Sequence, residues 1–282
     1  MLGLFVALTG CIAEAESDQP PQTSTHASQL ATPWSLPVRI GAVSALGAYD
    51  SEPAISADGL ELYFISDRDG GRRIYMSTRF STEMPWGSPV PVYALWGSAV
   101  TYDNGPELSH DGLTIWFSRS TAGQPGPQLQ VATRAIRSLG WSTPTPLAEL
   151  AINASAPHVS QDGLTMYFAN TDPASLDIYS TTRPSLADTW RNIRPVNRFN
   201  SSGTDTAPTT ARGEREAYLD STRGGALRVY RSTRTFETAW STPVVVEELA
   251  GASNTDVTPD ANYMVMMMSP NGGDPDIYES RR

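Results

Sequence analysis

Apolar and polar positions repeat in the same order five times along the chain after about Trp34. The clearest copies open with proline, any residue, an apolar residue and serine, pass through a polar turn, and enter an alternating run of large apolar residues. The clearest copies begin at Pro53, Pro106 and Pro157, a fourth begins at Pro208, and a degenerate fifth covers 258–266. A spacing of about 50 residues is typical of a supersecondary unit that packs against further copies of itself.

Two further markers recur in phase with these segments. The first is an apolar strand that ends in an arginine, at Arg79, Arg134, Arg183, Arg234 and Arg282. The second is a tryptophan followed within a few residues by proline, at Trp86, Trp141, Trp190 and Trp240. Because all markers keep a constant order, the whole region is one repeating structure.

Each copy is predicted to form four short strands. In the clearest copies the polar turn contains Asp-Gly, which favours a tight hairpin because glycine accepts a positive φ. Proline beside the tryptophan suits a strand at the edge of a sheet, where a missing N–H breaks no ladder bond. Four strands in about 50 residues make one blade of a β-propeller.

The two ends of the chain determine the predicted blade number. The last copy stops at Arg282, immediately after its third strand, and an unmatched Trp34-Ser-Leu-Pro37 segment precedes the first copy. We therefore expect an N-terminal strand to complete the last blade, which removes the exposed edges that an open ring would leave. The predicted fold is all-β, a five-bladed propeller with four antiparallel strands per blade, over 34–282.

The segment before the propeller is predicted to direct export. Leu8-Thr9-Gly10-Cys11 resembles the lipobox of bacterial lipoprotein signal peptides, which implies a signal over 1–11 and lipidation of Cys11. It departs from that pattern in having no basic start and a very short apolar run, so an ordinary secretory signal or a chance apolar tip stays open. Residues 12–33 are polar and lack periodicity, as in a flexible tether.

The repeat itself resembles the TolB-type, WD40-like propeller of bacterial envelope proteins. The shared residues are Pro-x-x-Ser-x-Asp-Gly, an aromatic pair, Ser-Asp-Arg-x-Gly-Gly at 66–71, Asp-Ile-Tyr at 177–179 and 276–278, and the tryptophan with its proline. The resemblance implies a propeller that acts as a scaffold or a binding module. It implies little about a ligand, because these residues build the blade.

The amino-acid composition limits the classes of partner that the protein is expected to bind. The net charge is −10, the pI is near 4.8, and the chain contains no lysine. A chain this acidic, without a basic cluster, is unsuited to nucleic acid or to anionic membrane surfaces. No nucleophile elbow, phosphate-binding loop, dinucleotide fingerprint or metal-ligand spacing is present, so neither a cofactor nor a metal is expected.

Candidate site residues are those that vary between copies, because the framework does not dictate them. Three residues before the repeat proline lie Asp50, Asp103 and Asp205; one residue after it, or after Thr255 in the degenerate copy, lie Glu107, His158 and Asp256. Both sets flank the innermost strand, so we expect acidic groups around one mouth of the central channel. A solvated acidic rim is the simplest interpretation of these groups; binding of a cation or a sugar, or hydrolysis of a glycosidic bond by two of the carboxylates, stays open.

The strand-end arginines have two interpretations as well. Pairing with carboxylates of a neighbouring blade is expected, and anion binding is the alternative. Taken together, the sequence predicts an exported, lipid-anchored, monomeric module of the periplasm or outer membrane that binds a protein or glycan partner on one face. A glycoside hydrolase with channel carboxylates is the alternative, and a purely structural envelope component also stays open.

Overall fold

A computed structural model describes residues 32–150, 152–171, 176–235 and 238–282. The predicted signal over 1–11, its Cys11 and the predicted tether up to residue 31 lie outside these ranges. The described residues form five antiparallel sheets of four strands each. The predicted five-bladed all-β propeller is therefore confirmed.

The strands follow the repeat. In chain order they are β1 (Val38–Arg39), β2 (Ser51–Ile55), β3 (Glu61–Ser66), β4 (Arg73–Thr78), β5 (Val90–Pro91), β6 (Thr101–Leu108), β7 (Thr114–Thr121), β8 (Gln128–Thr133), β9 (Thr145–Pro146), β10 (Ala154–Val159), β11 (Thr165–Asn170), β12 (Asp177–Thr182), β13 (Arg191–Pro195), β14 (Asp205–Ala211), β15 (Glu216–Ser221), β16 (Arg228–Thr233), β17 (Val244–Val245), β18 (Ala252–Val257), β19 (Tyr263–Met268) and β20 (Asp276–Arg281). Three short 3-10 turns, Tyr93–Leu95, Glu247–Leu249 and Pro270–Gly272, are the helical elements of the described ranges. Within those ranges, no helix is long and apolar enough to cross a membrane.

The blades take consecutive strands. Blades 1 to 4 are β2–β5, β6–β9, β10–β13 and β14–β17, and blade 5 is β18–β20 with β1 at its outer edge. The innermost strands β2, β6, β10, β14 and β18 contact one another in a closed circle around the channel. In blade 5, Val38 pairs with Glu279 and Arg39 with Tyr278, which confirms the predicted closure by an N-terminal strand.

In blades 1 to 3 the hairpin after the innermost strand is held by a Ser-x-Asp-Gly motif. In blade 1 the Ser56 hydroxyl accepts from the Glu61 N–H at 2.8 Å and donates to Asp58 at 2.7 Å. Gly59 then adopts φ +71°, where a side chain would be strained. These turns lie together on one face of the ring, which we call the hairpin face and define by 56–59, 109–112, 160–163, 211–214 and 258–261.

A β-bulge interrupts every innermost strand. The pairing register shifts by one residue at the same place in all five blades, for example between Ser51 and Ala54. The residue before the repeat proline, or before Thr255, has a positive φ in each blade: Glu52, Gly105, Ala156, Ala207 and Asn254. An extra residue reverses which face the following side chains take. Positions before and after the bulge therefore point to opposite sides of the strand.

The core lies in the seams between adjacent blades. Tryptophans from the segments just before the outer strands insert beside the apolar faces of the preceding blade. Their indole Nε1 atoms donate to tyrosine hydroxyls at three seams, from Trp34 to Tyr218 at 3.0 Å, from Trp86 to Tyr263 at 3.2 Å and from Trp141 to Tyr63 at 3.3 Å. These rings supply both apolar burial and a satisfied polar edge.

Candidate functional site

The three predicted aspartates before the repeat proline lie in separate blades, each beside an arginine. Their side chains are fully buried, and the ion-pair distances are 2.7 Å for Asp50–Arg68, 2.7 Å for Asp103–Arg119 and 2.8 Å for Asp205–Arg223. Each arginine also donates to a backbone carbonyl of the loop that enters its blade, at Val43, Leu95 and Phe199. In each of these three blades, the aspartate–arginine pair therefore holds the loop that enters the blade.

The bulge explains why these aspartates are separated from the other predicted set. In a regular strand, positions four residues apart share a face, so Asp103 and Glu107 would point the same way. With one residue inserted between them, Asp103 faces Arg119 on the neighbouring strand and Glu107 faces the channel. The structure brings Glu107, His158 and Asp256 together and leaves Asp50, Asp103 and Asp205 apart from them.

Glu107, His158 and Asp256 form a buried cluster in the channel. One donor atom from each residue lies within 4.8 Å of the others. Glu107 Oε1 is 3.1 Å from His158 Nδ1, and that nitrogen has no well-aligned hydrogen-bond partner within the described part of the chain. The three residues come from blades 2, 3 and 5. Because they are far apart in the sequence, no short motif predicts that they form a cluster.

Each member of the cluster also binds the backbone of the next blade. Glu107 accepts from the Val159 N–H at 3.0 Å, His158 Nε2 accepts from the Thr210 N–H at 3.0 Å, and Asp256 accepts from the Ile55 N–H at 2.8 Å. Because Ile55 belongs to blade 1 and Asp256 to blade 5, the last bond spans the point where the ring closes. The cluster therefore links innermost strands around the channel.

Burial and neighbouring charge shift the pKa of two members. Burial and the adjacent Glu107 carboxylate raise the pKa of Asp256 to about 7. Burial opposes a charged imidazole, yet the carboxylates of Glu107 and Asp256 raise the pKa of His158 overall. Because Asp256 and His158 interact, their protonation states are coupled.

Space in the channel limits what the cluster can do. The recess on each side of it holds about 40 Å³, which is room for a few water molecules or one ion. Carboxylate and imidazole donors at these separations are chemically able to hold a divalent cation. A sugar ring does not fit in that volume, and the carboxylates are already held by backbone N–H groups.

A larger recess opens on the hairpin face where blades 2 and 3 meet, and we call it the 2–3 groove. It encloses about 460 Å³. Its apolar lining includes Trp116, Val131, Leu147, Leu186 and Trp190, and its polar lining includes His110, Asp111, Thr114, Asp162, Arg183 and Asp188. Candidate residues chosen by channel position do not include these.

Two residues that differ between copies of the repeat account for the 2–3 groove, and both differences are visible when the copies are aligned. Thr114 stands where blade 1 has Glu61, and Leu186 stands where blade 2 has Arg137. Leu186 is 65% exposed, although it belongs to a seam. The signal was present in the aligned copies, but only the packing of adjacent blades shows that both changes fall in one place.

Comparison with known proteins identifies the fold. Neither a protein-family model nor a curated protein sequence matches the chain. Among solved structures, it is similar to Zg3597, a family 117 glycoside hydrolase of Zobellia galactanivorans, with a TM-score of 0.65, 9% identity, and coverage of 88% of this chain and 90% of that one. It is also similar to a putative TolB from Agrobacterium tumefaciens, with a TM-score of 0.51, 16% identity and 82% coverage of each chain.

A third similar structure is TolB from Acinetobacter baumannii, with a TM-score of 0.52 and 14% identity. The match covers 83% of this chain, but the chain spans only about half of that TolB, 54% of its length. At such identities the likeness is one of fold and carries no activity. The chain has a fold that fits TolB-type propellers and that glycoside hydrolases also use.

Proposed function

We propose that this protein is a non-enzymatic binding module of the bacterial cell envelope that engages a protein partner through the hairpin face. The observation that carries the proposal is the 2–3 groove, a recess of about 460 Å³ that combines indole rings, exposed aliphatic groups and unlike charges. Buried aromatic anchors with a polar rim are the usual anatomy of a protein interface.

The surface beside the groove supports a protein rather than a glycan partner. Leu186 in the groove is 65% exposed, and on the equivalent loop of blade 2, at the seam with blade 1, Ile136 and Leu139 are 54% and 55% exposed. Exposed aliphatic side chains gain from burial against another apolar surface, whereas hydroxyl-rich sugars offer them little. The export and the lipid anchor at Cys11 belong to the same proposal, supported by the lipobox-like sequence and the TolB-like fold.

Glycoside hydrolysis remains the competing function, because family 117 enzymes share the fold. The geometry of the channel speaks against it, since both recesses beside Glu107 and Asp256 are too small for a sugar ring. Release of a chromogenic group from any aryl glycoside by wild type, with loss of that release in Glu107→Gln, would replace the binding proposal with the enzymatic one.

Site-specific photo-crosslinking tests the binding function. A photo-reactive p-benzoylphenylalanine in place of Leu186 lies in the 2–3 groove, and the same residue in place of Thr82 lies at the equivalent position of blade 1. After irradiation with a bacterial envelope extract, we expect one discrete protein adduct from position 186 and none from position 82. Equal labelling at both positions, or no adduct from 186, contradicts the proposal.

A further inference from the structure

At the seam between blades 1 and 2, four charged side chains form one network. Arg134 lies 2.6 Å from Glu61, and Arg137 lies 3.2 Å from the other oxygen of the same carboxylate. Arg137 also pairs with Asp58 on the hairpin of blade 1. Every charge at this seam therefore has a partner of opposite sign.

The seam between blades 2 and 3 keeps only the outer members of that set. Arg183 corresponds to Arg134 and Asp111 to Asp58, but Thr114 replaces the central glutamate and Leu186 replaces the second arginine. The anchoring of the arginine within its own blade is unchanged, because Arg183 Nε donates to the Gly163 carbonyl at 2.7 Å, as Arg134 Nε does to Gly112 at 2.8 Å. The seam between blades 2 and 3 therefore lacks the carboxylate that Glu61 provides at the seam between blades 1 and 2.

Arg183 is consequently a positioned guanidinium without a counter-charge among the described residues. Its Nη1 donates to the Leu186 carbonyl at 3.3 Å and its guanidinium carbon lies 4.3 Å from the centre of the Trp190 ring, but no carboxylate of the described ranges pairs with it. Burial lowers the pKa of this arginine, and no acidic neighbour offsets that effect. Its planar fork is held in place beside the open groove.

At two other seams, the equivalent strand-end arginine forms an ion pair with a carboxylate of the protein itself. Arg282 pairs with Glu216 at 2.6 Å, and Arg234 pairs with Glu214 at 2.8 Å. Arg79 also has no carboxylate partner in the part of the chain that the structure describes, but it is only 7% exposed and lies 4.7 Å from the Tyr263 ring, which covers it. Arg183 is the strand-end arginine that lines the 2–3 groove.

We propose that Arg183 binds the carboxylate of an acidic side chain on a partner peptide segment, which takes the place that Glu61 has at the first seam. This inference rests on the proposed binding function and specifies its ligand. A carboxylate matches the guanidinium fork with two parallel hydrogen bonds. Trp190 beneath the guanidinium excludes water from one side of the pair, as Trp141 does for Arg134 at 4.4 Å.

The charges around Arg183 favour a single carboxylate over a phosphate. Asp111, Asp162 and Asp188 also line the groove, and the chain carries a net charge of −10. A doubly charged anion would be repelled more strongly by these groups than a singly charged one. A basic residue beside the acidic one in the partner would meet Asp111, as Arg137 meets Asp58 within the protein.

Binding of two matched small probes tests the inference on the intact propeller. The probes are acetyl-glutamate-amide and its neutral isostere acetyl-glutamine-amide, and the readout is the NMR shift of the Trp190 indole N–H, assigned with Trp190→Phe. For wild type we expect a saturating shift with the glutamate probe, with a Kd in the millimolar range, and at least about tenfold weaker binding of the glutamine probe.

Two variants keep the result decisive. Arg183→Gln removes the fork, and Thr114→Glu supplies an internal carboxylate at Glu61's position; each is expected to abolish the response to the glutamate probe. Equal responses to both probes, an unchanged response in Arg183→Gln, or no response in wild type overturns the inference. The proposed function is judged separately by the adduct at position 186, so an adduct without a charge-selective probe response defeats the inference alone.

Discussion

The first and second seams are built on the same backbone frame and differ in two side chains. The seam between blades 1 and 2 is closed by Glu61 and Arg137, which tie Asp58 and Arg134 into one network. At the next seam Thr114 and Leu186 occupy those positions, and the 2–3 groove opens. The second seam packs through apolar contacts without the charged network, so a seam can lose that network and leave an open groove.

The largest expected effect comes from breaking the closed seam. Glu61→Gln leaves Arg134, only 3% exposed in its side chain, without a counter-charge. Removing one partner of a buried ion pair is strongly destabilising, so we expect the free energy of unfolding to fall by about 3 kcal/mol. Urea denaturation followed by tryptophan fluorescence measures it.

The matched control for that experiment is Thr114→Val at the open seam, where no ion pair is lost. Its free energy of unfolding is expected to stay within about 0.5 kcal/mol of wild type. Should the two variants lose equal stability, the network at the first seam does not distinguish the two regions.

A smaller effect is expected from converting the open seam into a closed one. Thr114→Glu combined with Leu186→Arg rebuilds the missing members of the network beside Arg183 and Asp111. We expect a gain of about 1 kcal/mol, because a partly buried charge network returns less than its rupture costs. Differential scanning calorimetry of the double variant and both single variants measures the gain, and a double variant less stable than wild type contradicts the equivalence of the seams.

The smallest effect is expected in the dependence of Tm on pH under acidic conditions. The pKa of Asp58 lies at about 2, because its hydrogen bonds with Arg137 and Ser56 and the Arg137 charge outweigh a partial burial that acts in the opposite direction. A carboxyl whose folded pKa is lowered stabilises the protein above its unfolded pKa of about 4 and loses that contribution as pH falls through 2. We expect the Tm of wild type to fall more steeply than that of Asp58→Asn between pH 4 and 2.

Because Asp58 is well exposed, that difference corresponds to less than about 1 kcal/mol. Glu216, whose pKa is also lowered to about 2 by hydrogen bonds from Arg231, Arg282 and Tyr218 despite burial, is present in both proteins and cancels from the comparison. Parallel Tm curves for the two proteins would show that the first seam draws no stability from Asp58.

The fold could be predicted because the signals that build a blade are local. Asp-Gly hairpins, strand-end arginines and the tryptophan-proline segments each act within about 50 residues, and the unmatched Trp34 segment indicated the closure by β1. None of these inferences required knowledge of how one blade sits against another.

The placement of the candidate residues could not be predicted in the same way, because it depends on the bulge. Glu52, Ala156 and Ala207 adopt positive φ values of 50°, 46° and 46°, although their residue types rarely do so. Only Gly105 and Asn254 are of types that favour this conformation. A regular strand was therefore the natural expectation, and it placed Asp103 on the same side as Glu107.

Closure by β1 has a mechanical consequence. The backbone bonds that seal the ring come from a short segment, because Val38 and Arg39 pair with β20 and the N–H groups of Ser35 and Ile40 donate to the Arg281 and Ile277 carbonyls at 2.8 Å each. Trp34 lies ahead of it, only 4% exposed, beneath the Arg282 guanidinium at 4.2 Å and hydrogen-bonded to Tyr218 of blade 4. A force that pulls on the chain from its N-terminal side therefore acts first on the buried Trp34 indole. The backbone pairing between β1 and β20 bears that force only after the indole has left its site.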